Sequence, residues 1–192
     1  MFYSRAPMKP YLRIPIVLAI LCLAFASRNA RAQALPNGYG QAIGVDTARK
    51  VAAAAFAEGK KNGWNIAVAV VDTAGDLVFF ERMDAAQVAA VKVSQEKART
   101  AVRFKRATKV FEEVLAGGRN AILGLPDAVP IEGGIPLIIE GKIVGAIGVS
   151  GATSPQDGQC AQAAADTLGK QPTPPAPPRP ATPPAPPAPP KK

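Results

Sequence analysis

The chain has 192 residues, 48% of them hydrophobic, with 20 prolines, two cysteines and no histidine. That length allows one ordinary domain with extensions, and without histidine no Ser-His-Asp or Cys-His nucleophile can be built. The net charge of +9 sits mainly in the extensions: residues 33–170 keep 15 basic side chains against all 14 acidic ones, which argues against a nucleic-acid-binding core.

Residues 1–32 read as a secretory signal peptide. Lys9 and Arg13 form a positive start, and Ile14 to Phe25 is an apolar run too short for a comfortable membrane span. Ala30-Arg31-Ala32 supplies small residues for cleavage before Gln33, with Ala32-Gln33-Ala34 as a second frame. An uncleaved anchor is the alternative. Leu21 before Cys22 does not suit a lipoprotein signal. Once Cys22 is removed, Cys160 stands alone and no intrachain disulfide can form. Stability must then come from the core or from oligomerisation.

Residues 33–43 have no period and are expected to form a flexible arm. Ala48, Val51, Ala52, Ala55 and Phe56 follow helical spacing, with Gly44 or Asp46 to start the helix and Asn62-Gly63 to end it. Asn65 to Val71 and Leu77 to Arg82 are predicted strands of an antiparallel hairpin around Asp72-Thr73-Ala74-Gly75-Asp76. Ala85 to Arg103 is helical in composition, with Val88, Val91, Ala98 and Val102 on its apolar side. A shorter helix is expected from about Lys109, capped by Thr108, buried through Val110, Phe111, Val114 and Leu115, and stopped at Gly117-Gly118.

Residues 119–134 read as loop, with room for a short strand near Val129 to Ile131. Ile135 to Ile139 and Lys142 to Val149 flank Glu140-Gly141, the clearest hairpin signal in the chain. Gly145 and Gly148 inside the second strand imply a bulge or another backbone close by. Ser154-Pro155-Gln156-Asp157 carries the pattern of a capped helix start. Cys160, Ala163, Ala164 and Leu168 mark that helix's stripe and Gly169 its end. From 171 onward, 12 of 22 residues are proline, and a disordered, extended polyproline tail is expected. The fold class is therefore α+β: a largely antiparallel sheet with helices packed on it.

Several motifs in order resemble a known family. They are Lys61-Asn62-Gly63-Trp64-Asn65 with Ala67 to Asp72, Glu81-Arg82-Met83-Asp84 with Lys97-Ala98-Arg99-Thr100-Ala101, Pro130 to Pro136, Gly145 to Gly151, and Gln156-Asp157. Together they are similar to the GlcG/HbpS-type heme-binding, heme-degrading family and to the C-terminal domain of some corrinoid adenosyltransferases. The resemblance runs from about Gly44 to Gly169, essentially the whole expected domain, 44–170. It implies a profilin-like sheet flanked by helices, homo-oligomers, and heme as a cofactor. The sequence departs from that pattern at Asp76, where family members often carry histidine, at Ala107 for a common proline, and at Gly158 for a common acid.

With no histidine, iron ligation would fall to Met83, Cys160 or Tyr39. Cys160 on an apolar stripe equally reads as core packing. Arg99, Arg103 and Arg106 in the basic run 97–109 could meet propionates or another anion; the alternative is a solvated helix face. Glu81, Arg82, Asp84 and Glu132 are candidates for a polar pocket, with Glu132 ahead of Gly133 and Gly134, where backbone could approach a ligand. The ligand set is thus Arg82, Met83, Arg99, Arg103, Glu132, Gly133 and Gly134.

The leading reading is an exported, periplasmic or extracellular heme- or tetrapyrrole-binding protein, with heme sensing, storage or degradation as its roles. No nucleic acid and no membrane span in the mature chain are expected. A second reading is enzymatic, with Glu81, Asp84 or Glu132 as acid or base and Arg82 or Arg99 holding a small organic acid or aromatic substrate. A third is a ligand-free oligomeric scaffold.

Overall fold

α1 (Val45–Asn62) buries Ala48, Val51, Ala52, Ala55 and Phe56, the stripe that a 3.6-residue period marks. Gly63, left-handed with φ of 73°, ends it. The structure is a computed structural model and describes residues 37–169. The expected signal peptide, its cleavage site and the proline-rich tail lie outside the described residues.

β1 (Ala67–Val71) is buried throughout and pairs antiparallel with β2 (Leu77–Arg82). In their turn, Asp72 Oδ1 accepts from the Ala74 and Asp76 N–H groups, a local closure that aspartate favours. α2 (Ala90–Arg103) begins later than the expected Ala85. Residues 83–89 instead turn the chain away from β2, with Ala86 N–H on Met83 O. Val88 is therefore outside the helix and 81% exposed, not on an apolar face.

α3 (Lys109–Ala116) buries only Phe111; Val110, Val114 and Leu115 are half-buried. Thr108 precedes it without capping it. Its hydroxyl accepts instead from Gly134 N–H at 2.9 Å, tying the helix start to the sheet. A short 3-10 turn covers Asn120–Gly124, and Val129 to Ile131 is not a strand. β3 (Gly134–Ile139) and β4 (Lys142–Ser150) form the second hairpin. Glu140 and Gly141 both have positive φ, 49° and 73°, the mirror-image turn that matches strand twist. α4 (Ser154–Ala165) opens with a capping box, but between Thr153 and Gln156 rather than from Ser154 to Asp157.

The strand order is β2-β1-β4-β3, all antiparallel. Side chains alternate across a strand, so the sheet has two cores. Val68, Val70, Ile147 and Val149 meet α1 and α4. Val71 and Ala146 meet Ala98, Ala101 and Val102 of α2. This is the expected α+β sheet flanked by helices.

Both strand glycines have the expected cause. A Cβ on Gly148 would lie 1.9 Å from Ser94 O and 2.6 Å from Ala98 N, so the α2 backbone rests directly on the sheet there. A Cβ on Gly145 would meet Val71 O, beside the bulge between β3 and β4. The segment expected to be a flexible arm is, from Gly38 on, bonded alongside β4: Ile143 N–H donates to Gly38 O, and Gly40 and Ile43 N–H donate to Ile143 O and Val144 O. It lacks a side-chain period, and backbone pairing with β4 holds it along with two anchors, Ile43 buried in the core and the Tyr39 hydroxyl on Val102 O. Among the described residues no helix is long and apolar enough to cross a membrane.

Candidate functional site

β2 is an edge strand, and α1 packs mainly on α4 while crossing both β1 and β2. That arrangement leaves a groove of about 480 Å³ between α1 and β2, lined by Arg49, Ala53, Phe56, Ala57, Lys60, Phe79 and Glu81. Its volume is in the usual range for small-molecule sites. Arg49, Ala53, Ala57 and Lys60 form the flank of α1 next to its buried stripe. Ala53 and Ala57 are small, so the helix wall is flat between the two cations, which lie about 16 Å apart along the axis at 1.5 Å per residue.

Alternation along β2 decides what joins this groove. Phe79 and Glu81 pair with Val70 and Val68, and so face α1. Phe80 and Arg82 face the other way. The half-buried Phe79 supplies aromatic surface and the buried Phe56 only an edge, and Arg49, Lys60 and Glu81 form no ion pair with a described residue. An apolar floor with two unpaired cations and one carboxylate, net positive, can hold a flat molecule bearing negative charge.

The other expected residues are dispersed. Glu81, Arg82, Asp84 and Glu132 do not form one pocket. Arg82 is on the opposite face from Glu81, and Asp84 is in an exposed turn. Glu132 precedes β3 at the far edge of the sheet, three strand spacings or roughly 14 Å away. There Glu132 binds Lys109 at 2.8 Å, and its own N–H donates to Glu112. The bond to Glu132 pushes the Lys109 ammonium pKa up.

Arg99 and Arg103 sit at the other end of the sheet. Arg99 Nε donates to Gly75 O at 3.2 Å and its Nη1 pairs with Glu96 at 2.7 Å. Arg103 pairs with Asp127 at 3.5 Å. Arg106 lies over the Phe111 ring, and Lys105 over Tyr39. The basic run is therefore engaged locally, residue by residue.

Lys97 is the exception in that run, being 1% exposed. Its Nζ donates to Asp157 Oδ2 at 2.8 Å and to Val149 O at 3.1 Å. Ala152 N–H donates to the other oxygen of Asp157. Gly133 leaves room for this pair, since a Cβ there would lie 2.9 Å from Lys97 Nζ. Gly134 lets Lys97 O pass close, and Gly158 makes space for the Glu132 carboxylate. Glu132, Gly133 and Gly134 thus surround a buried ion pair that joins α2 to α4.

Cys160 is fully buried between α1 and α4. Burial first, then the nearby Asp157 and Glu58 charges, pushes its thiol up to about 11, so it packs as a neutral thiol rather than a metal-ready thiolate. Met83 is half-buried against the α1–α4 core. Tyr39 donates its hydroxyl to Val102 O at 2.9 Å. Among the described residues no cluster of three or more Cys, Asp or Glu could hold a metal ion.

Residue reading from sequence found Glu81 but missed Arg49, Phe56, Lys60 and Phe79 as a group. The available signal was the pair of exposed alanines between two cations on one flank of α1, beside an edge strand whose alternation exposes Phe79.

Comparison with known proteins adds the following. Residues 43–166 match the family model described as Haem degrading protein HbpS-like. Protein GlcG of Escherichia coli (strain K12) is 45% identical over 103 residues, covering 54% of this chain and 77% of that protein. The crystal structure of a Streptomyces reticuli HbpS double mutant superposes with a TM-score of 0.63 at 28% identity, over 88% of this chain and 100% of that one. The PduOC:heme complex superposes with a TM-score of 0.60 at 26% identity, over 67% and 96%.

Proposed function

This chain belongs to the HbpS-like family, and from that membership we propose that it binds heme or a related tetrapyrrole in the groove between α1 and β2. The observation that carries this reading is the flat wall of Ala53 and Ala57 on α1, faced by Phe79 of β2 and ended by Arg49 and Lys60, which pair with no described residue. A porphyrin face is apolar and aromatic, and its propionates are anionic. The structural likeness to a solved heme complex supports the same ligand class. Glu81 lies toward the Lys60 end, since it pairs with Val68 near the start of β1. The Arg49 end is therefore the more positive one, and the carboxylate edge belongs there.

Bound heme would supply a redox-active iron. The groove fits the macrocycle and its carboxylates but not iron ligation, because it contains none of the usual His, Cys, Met or Tyr ligands. The reading is accordingly one of binding, and no reaction step is assigned to it.

Titrating hemin into the purified chain tests the proposal. Arg49→Glu is expected to weaken binding by roughly tenfold, because reversal removes an attraction and adds a repulsion. Arg103→Glu, on the α2 face of the sheet opposite the groove and paired with Asp127, should change affinity less than twofold. Equal losses in the two variants would show non-specific charge attraction and sink the groove assignment.

Export by residues 1–32 and self-association complete the proposal. The apolar residues Leu123 and Ile131 and the start of the edge strand at Leu77 are exposed, surfaces that a second copy could cover. In a Gram-negative host, the mature protein is expected in the periplasmic fraction with Gln33 at its N-terminus, and as an oligomer by analytical ultracentrifugation. A cytoplasmic, uncleaved monomer would refute both parts.

A further inference from the structure

We infer that the ligand's metal is dispensable: the groove reads a tetrapyrrole by its flat face and its carboxylates, and takes metal-free porphyrin as well as heme. This rests on the tetrapyrrole reading above and narrows it to a ligand class.

The reason is where the possible iron ligands lie. Protein ligands to heme iron are typically His, Cys, Met or Tyr. The chain has no histidine, and residues 37–169 contain one each of the others. Cys160 is fully enclosed between α1 and α4, with no exposed surface to offer a ligand. Tyr39 is bonded through its hydroxyl to Val102 O, and Lys105 covers its ring at 4.3 Å. Val102 belongs to the α2 core, on the opposite face of the sheet from the groove. Met83 comes nearest, two residues beyond Glu81, but it packs against the α1–α4 core and does not line the groove.

The groove's own contributions are blind to the metal. Stacking on Phe79 and the edge of Phe56 that reaches the groove depends on the ring. Charge pairing at Arg49 depends on the carboxylates. The carboxylate of Glu81 is the only lining group able to approach a metal as an anion, so it is included in the test.

The experiment compares hemin, zinc protoporphyrin IX, metal-free protoporphyrin IX and its dimethyl ester. All four are titrated into the full chain by quenching of Trp64, the single tryptophan. The three diacids should bind with Kd values within about threefold of one another, and the ester at least tenfold more weakly. Glu81→Gln and Met83→Leu should leave the ratio of hemin to metal-free affinity unchanged. Hemin binding ten or more times tighter than metal-free porphyrin, with the difference lost in either variant, would overturn the inference while keeping the tetrapyrrole reading. Absence of binding by all four would overturn both.

Discussion

Replacing Lys97 with methionine is expected to cost about 3–5 kcal/mol of stability, the usual penalty for leaving one member of a buried pair behind. The melting temperature should fall by roughly 10–20 °C for a domain of this size. Methionine keeps most of the side chain's volume, so the loss reports the charge rather than a cavity. Asp157 would then keep its Ala152 bond but no cation. Burial already raises its pKa above the ordinary 3.8, against the pull of Lys97, and removing Lys97 raises it further.

An acid with a raised folded-state pKa contributes stability fully below its unfolded value and loses it as pH rises through the folded value. The deficit of the variant should therefore be smallest near pH 4 and grow toward pH 7.5. Urea denaturation at the two pH values measures it. A deficit below 1 kcal/mol, or one that shrinks with pH, would refute this account. Converting Asp157 to leucine in the same chain should recover most of the loss, because an apolar pair can replace a buried ion pair at little cost.

Gly148→Ala should be comparably damaging for a different reason. The added methyl would sit 1.9 Å from Ser94 O and 2.6 Å from Ala98 N. Both are backbone atoms of α2, so no rotamer change relieves the clash. The whole helix must lift off the sheet, loosening Ala98, Ala101 and Val102. A loss of about 3 kcal/mol or more is expected, at the upper end of overpacking costs. The groove is on the other face, so hemin affinity of the folded variant should stay within twofold of the parent. A stability change under 1 kcal/mol would show that α2 is not seated as described.

The fold was largely legible because its signals are local. The α1 stripe, the Asp72–Asp76 turn and the Glu140-Gly141 turn each lie within a few residues and carry their own geometry. Gly148 was legible as a close approach, although nothing local names α2 as its neighbour. Two of the misreadings share one cause, a partner far along the chain. Asp157 has the spacing of a capping acid, yet its partner is Lys97, sixty positions earlier. Lys97 itself lies in a basic run that suggests a solvated face. Thr108 looks like a cap until Gly134 claims its hydroxyl. The candidate site failed similarly: Glu81 and Arg82 are adjacent in sequence, but strand alternation sends them to opposite faces, while Arg49 and Phe79, 30 positions apart, line one groove beside the edge strand.

The strand order also sets a timetable for folding. Each hairpin closes over a short turn, whereas the central β1–β4 pairing brings together Val71 and Ala146, 75 positions apart. Closing that span costs about 2 kcal/mol more chain entropy than closing a five-residue turn. The two hairpins can therefore form early and independently, and their zippering is the slow event. Until it happens, β1 and β4 each expose an apolar edge, and a newly made chain is most vulnerable to aggregation in that interval.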